Sequence, residues 1–392
     1  MRGIELRPET ALLRCLLRPS VDRAEIEAVQ ARRVNWHRFE EVLFRSKLVP
    51  LAGRRMENGT GLAEYIPAGL RGRLAKESVR AAVRTLLKEK ELAAVVGEME
   101  GAGIRPLVLK GLPFAQRHFV DASARDIRDL DLLIPPEHLP AAEEVLAGLG
   151  YHLFTSIHSR EYYRRHHFHL VFVRMRQSVD VVELHWNLLH PRQGLYFDTA
   201  TLFRAARPEK YGNTEVMLLE PIDEILYMMI SYRMSSFLSL KRLVDLAFAI
   251  ENSRGTDWRK RVLARGAEWG LASETEAAFH FLHRFWGDDE YGIEPSKKTR
   301  GLASRYRGED FFGVSPRRSL AYRMWCASCL SGYGPLRFAG NVLVPNEQIR
   351  SELYYTREEE TSRMHECKRF ISGLGSLVDL GANWALSPFR KL

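Results

Sequence analysis

Residues 104–111 read IRPLVLKG, residues 112–124 read LPFAQRHFVDASA, and residues 125–136 read RDIRDLDLLIPP. One apolar run closes on Lys110-Gly111. A second, Leu130, Leu132, Leu133 and Ile134, is interleaved with Asp129 and Asp131. Short apolar runs bounded by Gly and Pro read as strands. Residues i and i+2 of a strand point to one face, so the two carboxylates stand roughly 7 Å apart at Cα, from a rise of ~3.3 Å per residue. They repel unless a cation lies between them. Mg²⁺ takes carboxylate and phosphate oxygens, so the pair points to metal-assisted phosphate chemistry. On its own an Asp-x-Asp at a strand edge is more often an ordinary surface feature.

Two neighbours favour the metal. Gly111 permits close approach of the backbone to a ligand. A third carboxylate lies in residues 178–186, SVDVVELHW. Alternation there puts Val181, Glu183 and His185 on one face and Asp180, Val182 and Leu184 on the other. A charged Glu183 in so apolar a strand needs a partner or a cation, because burying it alone is costly.

Taken together, LKG, then R-x-x-R-D-L-D-L-L-I, then E-L-H-W resemble the bacterial nucleotidyltransferase family of the polymerase-beta-like superfamily. The likeness takes in the helical segment NWHRFEEVLFRSKLVPLAG, the long helix before Lys110 and the later PIDEILYMMISYRMSSFLSLKRLVDLAFAI. It covers most of residues 30–255 and continues more weakly to about 360. It implies an α+β fold, with a small mixed sheet as the nucleotidyltransferase core and mainly helical regions on either side. It also implies transfer of a nucleoside monophosphate from an NTP to an acceptor, with release of pyrophosphate. Asp129, Asp131 and Glu183 would hold Mg²⁺ and form the catalytic set. Lys110, Gly111, Arg125, Arg128 and His185 would face the nucleotide. The acceptor stays open among a small molecule, a protein, a lipid-linked group and an RNA end. The sequence departs from better-known members of the superfamily after the first strand. Leu112-Pro113 follows Gly111 where a small hydroxyl would touch the triphosphate, and the gap to Asp129 is longer.

Two other functions fit parts of the chain: a catalytically weak nucleotide-binding regulatory module, and a basic helical protein that binds nucleic acid. The second rests on a net charge of +9, which favours polyanionic partners. A dispersed solvated surface explains the same charge, since no long Lys/Arg block is present. Three clustered carboxylates lacking a cation are expected to repel and to raise at least one pKa. On that reasoning Asp131→Asn relieves strain.

The chain reads as three regions: helical 1–103, a core at 104–215, and helical 216–392. Thr10 is a candidate cap for a first helix; 21–33, 36–51 and 71–100 follow as helices. Strand candidates are 151–154, 170–174 and 179–186. His166, His167 and His169 form a His-rich tract without the spacing of a helical two-His metal site. Four cysteines, including Cys326 and Cys329 as one CxxC, suit a reduced, cytoplasmic protein better than a zinc site. No signal peptide and no apolar run of spanning length are visible.

Overall fold

The computed structural model describes residues 7–19, 23–30, 33–57, 65–119, 121–154, 167–176, 179–189, 198–212, 214–253 and 255–304. The CxxC pair, the expected helices beyond residue 304 and the apolar C-terminal stretch lie outside them, as does His166.

Helices lead the chain: α1 (Pro8–Leu17), α2 (Arg23–Gln30), α3 (Trp36–Arg45), α4 (Val49–Glu57) and α5 (Ala68–Gly101). Pro8 opens α1, where its missing N–H has no partner to lose, so Thr10 lies inside the helix and is not its cap. Asn35 caps α3 by accepting from the backbone N–H of Arg38 at 3.0 Å. The single helix expected over 36–51 is two helices. Lys47 takes a left-handed φ of 57° and turns the chain between α3 and α4. Gly103, at φ 75°, ends the long α5.

The core alternates β1 (Leu107–Val108), α6 (Leu112–His118), β2 (Asp129–Leu133), α7 (Leu139–Gly148), β3 (His152–Leu153), β4 (His169–Met175), β5 (Val179–His185), α8 (Ala200–Ala205), β6 (Arg207–Tyr211) and β7 (Thr214–Leu218). These strands form one mixed sheet in the order β3-β4-β5-β2-β1-β7-β6, an α+β architecture. The three expected central strands are neighbours: β1 pairs antiparallel with β2, and β2 pairs parallel with β5. Nothing in the sequence reading anticipated the β6–β7 hairpin. Four of the five residues of β6 are exposed, so it lacks the apolar alternation that marks a half-buried strand.

The face of β2 and β5 carrying Leu130, Leu132, Val182 and Leu184 is dry, each residue being at most 2% exposed. Helix α5 covers this side. Its Lys88 reaches Asp180 at 3.6 Å, and its Glu91 accepts from the Tyr151 hydroxyl at 2.5 Å. The opposite face carries Asp131, Glu183 and His185. Against it lies the C-terminal bundle: α9 (Pro221–Met234), α10 (Leu240–Ser253), α11 (Trp258–Glu268), α12 (Ala272–Trp286) and α13 (Lys297–Ser304). Helix α9 is buried from Ile222 to Arg233. Two charged contacts fix it to the core: Glu224 receives Arg117 at 3.0 Å and lies 2.7 Å from His118 Nε2.

Candidate active site

The register of β2 and β5 places Asp131 directly beside Glu183 and Leu133 beside His185. One ligand atom from each of Asp131, Glu183 and His185 lies within 4.8 Å of the others. His185 Nε2 is 3.4 Å from Asp131 Oδ1 and 3.4 Å from Glu183 Oε2. Lys110, at the end of the first strand, brings Nζ to 2.9 Å from Asp131 Oδ1. Asp131 is fully buried, yet neither of its oxygens accepts an aligned hydrogen bond within the described structure. Both ring nitrogens of the buried His185 are in the same state.

Charge accumulates here against the cost of burial. Burial alone pushes the Glu183 carboxyl up, but His185 and Lys110 outweigh it and hold it below the usual carboxylate range. Glu183 is therefore not a raised carboxylate among the three: His185 and Lys110 stand beside it. Burial likewise works against charge on His185, and the carboxylates of Asp131 and Glu183 overcome it, raising its pKa. Lys110 is raised too, as Asp131 and its neighbours outweigh desolvation. On β4, His169 stands opposite His185 and stacks on it with ring centroids 5.0 Å apart. Burial and then the adjacent His185 push its pKa down to about 2, so it is neutral.

Asp129 does not join this cluster. Two residues earlier on β2, it lines a cleft of about 660 Å³. Lys110, Arg125 and Arg128 line the same cleft, walled on its far side by the α9–α10 turn and the α3–α4 turn. The described lining includes seven basic side chains (Arg45, Lys47, Lys110, Arg125, Arg128, Lys241, Arg242) against three acidic ones (Asp126, Asp129, Asp245). That excess of four positive charges suits a polyphosphate. Among the described residues, the two turns also hold three of the four non-glycine residues with positive φ: Lys47 at 57°, Ser236 at 55° and Phe237 at 57°. Such backbone persists where its surroundings over-determine it, often beside a ligand.

Both candidate arginines have partners in the protein. Arg125 forms a buried bidentate pair with Asp245 of α10, both bonds 3.0 Å. Arg128 pairs with Asp126 at 2.9 Å. Lys241, one helical turn before Asp245 and 3.5 Å from it, went unremarked in the sequence. So did Asp245 and the buried Tyr227. The cue was present: Asp245 interrupts the apolar run 243–250, with Lys241 one turn before it, an arrangement that needs a reason. Burial, and then the positive charge of Arg125, push Lys241 down to about 8.

Gly111 has φ 97° and ψ −130°, a region open essentially to glycine alone. A Cβ there would meet only the Asp129 carbonyl at 3.8 Å. The cost of Gly111→Ala is therefore backbone strain, about 1–3 kcal/mol, read as a lowered urea midpoint. A loss under about 0.5 kcal/mol would mean that this turn is not constrained.

A family model described as uncharacterised nucleotidyltransferase matches residues 32–287, which span α3 to α12 and so include the carboxylates and both walls of the cleft. A comparison with curated proteins finds no match. No helix among the described residues is long and apolar enough to cross a membrane.

Proposed function

The chain belongs to the uncharacterised nucleotidyltransferase family, and we propose that it moves a nucleoside monophosphate from an NTP to an acceptor, releasing pyrophosphate. The observation that carries this reading is the buried Asp131 beside the half-buried Glu183, with His185 and Lys110 against them, at the edge of a basic cleft. Two adjacent carboxylates that already gather positive charge suit a divalent cation. Asp131 and Glu183 would hold it, with Asp129 facing the nucleotide side. When bound, it would neutralise phosphate charge and orient the reacting oxygens.

The remaining work falls to the chain. An acceptor oxygen attacks the α-phosphorus, the bond to the pyrophosphate oxygen breaks, and the acceptor proton passes to Glu183. Lys110 neutralises charge on the transferring phosphate. Arg125, its fork engaged by Asp245, positions α10 and its Lys241 against the cleft. Lys241 and Arg242 meet the distal phosphates. Arg128 and His185 have supporting places at the cleft mouth and beside Glu183.

The test is incubation with α-labelled NTPs and cell extract, followed by a search for labelled acceptor. Transfer that depends on Asp131 supports the reading. Divalent-dependent nucleotide binding with no label moved and no pyrophosphate released would replace it with the regulatory alternative.

Lys241 supplies a second test. With its pKa near 8 in the empty cleft, the side chain is partly neutral at pH 8.5. A phosphate brought beside it favours the charged form. Nucleotide binding at pH 8.5 should therefore take up a proton, and affinity should fall as pH rises above 8. Calorimetry in two buffers of different ionisation enthalpy measures the uptake. Lys241→Met should abolish it; unchanged uptake would take Lys241 out of the phosphate site.

A further inference from the structure

We infer that Asp131, Glu183 and His185 form a mixed oxygen–nitrogen site selecting a divalent first-row transition metal over Mg²⁺, with Mn²⁺ as its probe, and that it fills before nucleotide arrives. The inference rests on the proposed metal chemistry and goes beyond it by naming the class of cation and a histidine ligand.

The donor set differs from the one the sequence pattern implies. An Asp-x-Asp pair plus a third carboxylate is all oxygen, which suits Mg²⁺. In the structure Asp129 is absent from the cluster and an imidazole takes the third place. His185 is 4% exposed and Asp131 is 0% exposed. Asp131 Oδ2 is buried with no aligned hydrogen bond, while Oδ1 is met by Lys110 Nζ at 2.9 Å and His185 Nε2 at 3.4 Å. A buried carboxylate so placed carries a desolvation cost that a cation would relieve. Imidazole is a poor ligand for Mg²⁺ and a good one for later divalent metals, whose affinity for nitrogen donors rises along the series.

Two features prepare the ring for this role. Glu183 and His185, two residues apart on β5, share one face and Asp131 of β2 pairs beside Glu183, so the ligands come from two paired strands and need no loop rearrangement. His169 stacks on the ring with centroids 5.0 Å apart, so it holds the imidazole plane. The groups facing the site are Lys110 from the β1–α6 turn, Asp129 from β2, His169 from β4 and Tyr227 from α9. Lys110 rests on Asp131 and would move aside to the phosphates as a cation enters.

The experiment uses the full chain without nucleotide, titrated with Mn²⁺ and followed by electron paramagnetic resonance. Mn²⁺ should bind at least tenfold more tightly than Mg²⁺ does in competition. Pulsed spectra should carry ¹⁴N modulation that changes when the histidines are ¹⁵N-labelled. His185→Gln should remove the modulation and erase the preference for Mn²⁺, while His169→Gln keeps the modulation. Should His185→Gln fail to fold, the isotope effect in the wild-type protein decides alone. Absence of binding, or bound Mn²⁺ without histidine modulation, would overturn the inference. Neither result touches the transfer reading, which is judged separately by movement of label with Mg²⁺ as the cation.

Discussion

Asp131→Asn is expected to lower nucleotidyl transfer by on the order of a thousandfold or more, because the buried anion that would hold the metal becomes a neutral amide. The assay is transfer of α-labelled nucleotide, with circular dichroism to confirm the fold. The same variant is expected to lose stability. Repulsion among carboxylates had suggested the opposite sign, but Lys110 sits 2.9 Å from Asp131 and His185 sits 3.4 Å from it. Removing the negative charge leaves the partly buried Lys110 with only the more distant Asp129 and Glu183. A loss of about 1–3 kcal/mol follows from leaving such a group poorly paired. Transfer at the wild-type rate would reject the mechanism, and a gain in stability would reject the account of Lys110.

The largest effect on stability is expected at Arg125. Its guanidinium donates twice to Asp245, and both residues are at most 7% exposed. Arg125→Met strands a buried carboxylate whose remaining partner is Lys241 at 3.5 Å. Breaking one side of a buried pair typically costs about 3–5 kcal/mol. Replacing both sides by apolar residues costs less, so Arg125→Met with Asp245→Leu should be more stable than Arg125→Met alone. Urea denaturation of the single and double variants measures this. A single-variant loss below about 1 kcal/mol would mean that the pair is solvated and does not tie α10 to the core.

Much of the reacting centre was legible because strands have a period of two. Asp129 and Asp131 on one face, and Glu183 and His185 on another strand's face, follow from alternation alone, and β2 and β5 pair in the register that joins them. What alternation does not carry is which strand positions meet across a ladder. For that reason His185 ranked as secondary in the sequence and Asp129 as central, whereas the cluster holds the first and leaves out the second. Arg125 and Arg128 both line the cleft, but sequence is blind to the partner of Arg125, Asp245, which lies 120 residues away. The split of 36–51 into α3 and α4 depends on the left-handed Lys47, a conformation for which lysine gives no cue. The exposed β6 is set by pairing with β7, not by any pattern of its own.

The Arg125–Asp245 tie also orders the protein's birth. At a synthesis rate of ~5–20 residues per second, roughly six to twenty-four seconds separate the emergence of its two ends. From the middle of that interval the nascent chain carries Lys110, Asp131, Glu183 and His185 but lacks the α10 wall. A ribosome that stalls after residue 185 and before 240 holds the carboxylate cluster without the far wall of the cleft. The cleft is therefore completed late, with the first turns of a helix that contributes neither Asp131 nor Glu183.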